Sequence, residues 1–152
     1  MPLYENQRVV KAILPVLERW VSRGWGQLTF RMVQVLTGHG CFGRYLYRIG
    51  KEATPKYYHC DDDQDSAQHT LEACMVRDMR RRELVSIVGR DLSLGSVVEA
   101  MLRREEAWTA MAAFYEAVMR DKEQTEKARR RIPPLPPRAV ESRAILRARR
   151  RL

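Results

Sequence analysis

Three residues carry the most specific chemistry in this chain: Cys60, then His69 after eight intervening residues, then Cys74 after four more. A loop cysteine followed by a helix turn presenting a histidine and a second cysteine is how small zinc knuckles close, because Zn2+ takes four N or S donors in a tetrahedron. Only three such donors stand at that spacing. At the Cys-x-x-Cys distance before Cys60 the chain has Tyr57, and a phenol that ionises near pH 10 is a poor ligand at neutral pH. His59, or a carboxylate among Asp61, Asp62, Asp63 and Asp65, offers a fourth donor, although hard oxygen ligands are less usual in structural zinc sites. The competing expectation is metal-free: two cysteines packed as small apolar side chains and a histidine bonded to a carbonyl. Cys41, between Gly40 and Phe42, reads as core packing rather than as a ligand.

A second group is cationic. Arg77, Arg80, Arg81 and Arg82 follow Cys74 directly, and Arg129, Arg130, Arg131, Arg143, Arg147, Arg149, Arg150 and Arg151 crowd the end of the chain. Clustered guanidinium groups attract phosphate by charge and by bidentate geometry, with an affinity that falls steeply as salt rises. A solvated helix face or a nuclear-targeting end would have the same composition. The chain has 152 residues and a net charge of +9, and ten cations against one anion lie between Lys127 and Leu152, so the whole excess belongs to that segment. Residues 1–60 carry an excess of six positive charges and residues 61–126 an equal negative excess. Aromatic residues are absent from the tail, which argues against base stacking there.

Other chemistries find no support in the residues. No Ser/His/Asp order, phosphate loop or paired acid/base signature occurs. The acidic run after Cys60 lacks the distant carboxylate and palm sheet of a two-metal polymerase site, and reads as a solvated loop. Three cysteines do not make a secreted disulfide framework, and no apolar run approaches the 18 or so residues of a membrane span. The expectation is a soluble intracellular protein with no membrane partner.

The elements that must position these groups read as helices. Val9, Val10, Ile13, Leu14, Val16, Leu17, Trp20 and Val21 recur at steps of three and four, with Pro15 predicting a kink. A second helix is expected over Leu28–Leu36, and a third short one around Phe42–Ile49. Gly38 and Gly40 form the corner between them, with His39 capping the helix before it. Residues 51–65 read as loop. Ser66 is a good N-cap for a helix from Ala67 to Cys74, extended as Met75–Val88 with Met79, Leu84, Ile87 and Val88 inward. Another helix spans Leu94–Arg103. The strongest period follows, with Trp108, Met111, Ala112, Tyr115, Val118 and Met119 on one face of a helix over 104–131. Pro133 to Pro137 predicts an extended spacer. The fold class is therefore all-α, with a helical body over 1–126, a knuckle over 57–74, and a disordered Pro/Arg-rich basic tail over 127–152.

The stretches Leu28-Thr-Phe-Arg-Met-Val-Gln-Val-Leu-Thr-Gly-His-Gly-Cys-Phe-Gly-Arg-Tyr-Leu, Arg48-Ile-Gly-Lys-Glu-Ala-Thr-Pro and Ala67-Gln-His-Thr-Leu-Glu-Ala-Cys resemble the region downstream of the polymerase in non-long-terminal-repeat retrotransposons. The nearest likeness is to the arthropod clade that inserts into ribosomal DNA or telomeric repeats, over about residues 8–125. The resemblance implies a Cys-x-x-Cys, His, Cys zinc knuckle in which Cys60, His69 and Cys74 are the second, third and fourth ligands. Tyr57 then replaces the first cysteine, and Met75 replaces a proline common after the last. It also implies that polymerase and endonuclease parts lie outside these residues. The expected function is a non-catalytic nucleic-acid-binding module that positions element RNA or target DNA, in the nucleus. The alternative is a protein-interaction module, with self-association through 104–131.

Overall fold

The computed structural model describes residues 5–55, 60 and 64–131. Tyr57, His59, Asp61, Asp62, Asp63, the Pro133–Pro137 spacer, Arg143, Arg147, Arg149, Arg150 and Arg151 lie outside the described residues. The fold is all-α, with no strand among the described residues. None of the described helices is long and apolar enough to cross a membrane.

The first apolar stripe forms α1 (Glu5–Ile13) and α2 (Leu17–Ser22), joined by a tight turn over Leu14–Val16 that holds Pro15. Pro15 has no N–H to continue the α-helical ladder, so the break falls where the sequence expects it. Helix α3 (Phe30–Thr37) starts two residues later than the sequence reading, because the Thr29 hydroxyl accepts the Met32 backbone N–H at 3.2 Å and caps it. Gly38 ends α3 in the left-handed region at φ 73°, donating its own N–H to Val35 O, so the cap comes from the Gly38 backbone and not from His39. Helix α4 (Gly43–Arg48) is short.

Helix α5 (Ala67–Glu72) begins as expected at Ser66, whose hydroxyl accepts the His69 backbone N–H at 3.1 Å. It does not run into the next helix. Cys74 is extended (φ −62°, ψ 118°), a single turn over Met75–Arg77 follows, and α6 (Asp78–Val88) starts anew. The break re-aims α6 and leaves Met79 79% exposed, correcting its inward assignment, while Leu84 is buried. Helix α7 (Leu94–Arg103) buries Val97, Val98 and Met101 completely.

Helix α8 (Glu105–Arg131) is the axis of the molecule, packing against α3, α6 and α7, while α1 covers α7 and α3. Its face of Trp108, Met111, Phe114, Tyr115, Val118 and Met119 lies inside the core. The surface that the sequence offers for self-association is thus occupied within the chain. Gly26 passes directly beneath Trp108 at φ 89°, where a β-carbon would stand 2.2 Å from the indole. Trp20 stacks obliquely on the same indole at 5.3 Å. The charge step at 127 is not a helix end, since α8 continues to Arg131 and Arg129 pairs with Glu52 and Glu126.

Candidate metal centre

Cys60 comes from the loop before α5, His69 from its first turn and Cys74 from just beyond its end. The Ser66 cap fixes where α5 starts and so where His69 projects. After α5, the N–H groups of Ala73 and Cys74 both donate to His69 O, at 2.9 and 2.8 Å, which folds the chain back and returns Cys74 towards the histidine. The three donor atoms lie within 4.8 Å of one another. Cys60 Sγ and His69 Nε2 are 3.3 Å apart. Around a tetrahedral zinc, sulfur and nitrogen donors stand about 3.5 Å apart and two sulfurs about 3.8 Å, so the set fits with shifts of under about 1 Å.

Cys74 is 1% exposed, and burial pushes its thiol above the ordinary range. A hydrogen bond from the Val76 backbone N–H acts in the opposite sense, and the neighbouring Cys60 sulfur adds to the rise. A metal ligated by Cys74 displaces the thiol proton, so binding would release that proton and depend on pH.

The arginines after Cys74 divide by role. Arg81 donates to the carbonyls of Leu71 at 2.8 Å and Cys74 at 2.7 Å, capping the end of α5 and tying the Cys74 turn to α6. Arg77 is 6% exposed and binds Asp121 of α8 at 3.0 Å. Arg80 and Arg82 reach solvent, beside Asp121 at 3.7 Å and Asp78 at 3.0 Å. At the end of α8, Arg130 binds Glu126 and Arg131 is exposed.

Sequence reasoning missed the group that holds the loop. Lys122 and Asp65 are 0% and 2% exposed, and the ammonium nitrogen lies 2.8 and 2.9 Å from the two carboxylate oxygens. Asp65 also accepts the Gly43 backbone N–H at 2.9 Å, its carbonyl accepts that of Arg44, and its own N–H donates to Pro55 O. Asp65 is therefore committed to Lys122 and α4, which removes it from the carboxylates offered as a fourth ligand. A signal existed: continuing the α8 stripe from Trp108 through Tyr115 and Val118 lands on Lys122, a cation at an inward position. Cys41 stands outside the triad. Its thiol donates to Lys122 O at 3.7 Å, and burial raises it to about 11.

No family model and no solved structure matches this chain. It is similar to the retrovirus-related Pol polyprotein from type-1 retrotransposable element R1 of Popillia japonica, 27% identical over 109 residues. The match covers 70% of this chain and 44% of that protein, so the chain spans less than half the length of its relative. The likeness supports a retrotransposon-related origin.

Proposed function

We propose that this chain is a non-catalytic nucleic-acid-binding module of a retroelement polyprotein, closed by a zinc knuckle, that positions element RNA or target DNA. The observation that carries the reading is the convergence of Cys60, His69 and Cys74 within 4.8 Å, in a chain similar to a retrotransposon Pol polyprotein. Zinc held by these three would act structurally, fixing the loop of Cys60 against α5 and the Cys74 turn. The fourth donor would come from water or from the loop, where His59 is the nearest nitrogen ligand in sequence.

Phosphate contacts would then fall to the cations that reach solvent, Arg80, Arg82, Arg130 and Arg131, together with Arg143, Arg147, Arg149, Arg150 and Arg151 of the basic segment. Arg77, Arg81 and Arg129 would work on the fold instead. Action on target DNA would place the module in the nucleus. Binding measured by anisotropy across a salt series, with and without residues 127–152, tests the reading. Each phosphate contact contributes about 0.7 to 0.9 to the slope of log K against log salt, so the shortened chain should bind more weakly, with a slope smaller by several units. An unchanged affinity and slope would remove the tail from the account.

A further inference from the structure

The geometry points to a pocket on α4 that takes one unpaired nucleotide, its base against the tyrosines and its phosphate on Arg44 and Arg48. The inference rests on the nucleic-acid reading and gives it a specific site on the folded body, apart from the metal centre and the tail.

The cavity is about 310 Å3, at the small end of the range for small-molecule sites. Phe42, Tyr45 and Tyr47 contribute the aromatic part of its wall and Arg44 and Arg48 the charged part, with no carboxylate among its described lining residues. Arg44 with Tyr47 and Tyr45 with Arg48 stand three apart on α4, which places each arginine beside one tyrosine. The nearest described carboxylate along the loop, Asp65, is neutralised by Lys122. A wall of that composition selects a ligand both anionic and flat. A nucleotide has both properties, and stacking on aromatic rings together with guanidinium contacts is how single strands are held without sequence preference.

Two further features support this occupant. The rim is an aromatic and cationic stack: His39 lies on Tyr45 with ring centres 4.8 Å apart and an interplanar angle of 28°, and the Arg48 guanidinium sits 5.5 Å from the Tyr45 ring centre. Tyr47 is 52% exposed, with area to give to a base. The site is also preorganised, because the Gly43 and Arg44 N–H groups are both anchored to Asp65 and through it to Lys122 on α8. A base inside a duplex has both faces covered by its neighbours, so the pocket accepts unpaired bases and excludes paired ones. The tail has cations without aromatics; this pocket supplies the stacking surface it lacks.

Anisotropy titrations of the full chain with a short oligouridine strand and with an RNA duplex of matched charge test the site. Tyr47→Ala should weaken oligouridine binding roughly 5- to 150-fold, the cost of losing one stacked base, and leave duplex binding unchanged. Arg48→Gln should lower the oligouridine salt slope by about one contact. Phe30→Ala, which removes an aromatic ring 77% exposed outside the pocket, should alter neither. Oligouridine affinity untouched by Tyr47→Ala, or an equal loss on both probes, overturns the pocket while leaving the module's nucleic-acid binding standing. A wild-type chain that binds neither probe overturns both.

Discussion

Removing Lys122 and Asp65 from water costs several kcal/mol per ion, and their arrangement offsets that cost in three ways. Both carboxylate oxygens face the ammonium group, the Gly43 N–H fills a further lone pair, and the ammonium lies 5.4 Å from the Phe42 ring centre. Lys122→Met leaves a carboxylate buried without its counter-ion and should lower unfolding free energy by about 3–5 kcal/mol in a urea titration. Adding Asp65→Asn to that variant should recover most of the loss, since a buried pair replaced by neutral groups is often near neutral. A single variant as stable as the parent would mean that the pair does not pin the loop. Asp65 was illegible in the sequence for a physical reason: by type and neighbours it matches Asp61, Asp62 and Asp63, and what separates it is a partner 57 residues further on.

Helices were legible wherever apolar period and caps agreed. Pro15, Ser66 and Gly89 each mark a boundary, through a missing N–H, a hydroxyl that caps, or a positive φ of 104° at Gly89, whereas the Thr29 cap lay inside the expected helix and moved its start. The break between α5 and α6 left no such mark, because Cys74 leaves the helix to face Cys60 and His69, an interaction between segments that local periodicity does not contain. A clamp between α3 and α8 was likewise not legible, since its partners lie 85 and 92 residues apart. Arg31 binds Glu116 at 2.9 Å and Glu123 at 2.8 Å, and these hydrogen bonds hold both carboxyls below the usual glutamate range. A carboxyl whose pKa is depressed by folding stabilises the fold above its unfolded pKa, about 4.3, and loses that contribution as pH falls through the folded value. Arg31→Met should therefore show a shallower fall of stability on acidification below about pH 4.3 than the parent, measured by urea midpoints across pH. Identical acid profiles would show that the clamp adds nothing to the α3–α8 contact.

For the whole molecule, the +9 net charge divides into a tail that carries all of it and a polarised body whose halves cancel. The sequence pointed to phosphate binding by the arginines at 77–82 and by those at the end of the chain. The fold narrows this, because Arg77 and Arg81 secure the segment around Cys74 and α8 carries helical structure past the start of the basic segment as far as Arg131. The pair Asp65–Lys122 ties the segment before α5 and the N-terminus of α4 to the core face of α8, so one buried contact lies between the candidate metal centre and the pocket proposed on α4. The knuckle reading turns on whether the three donors hold a metal. Elemental analysis of the purified full chain, with Cys74→Ser alongside, decides it. The account predicts about one zinc per chain in the parent and its loss in the variant. A parent with far less than one zinc per chain, after purification with zinc present, would contradict it.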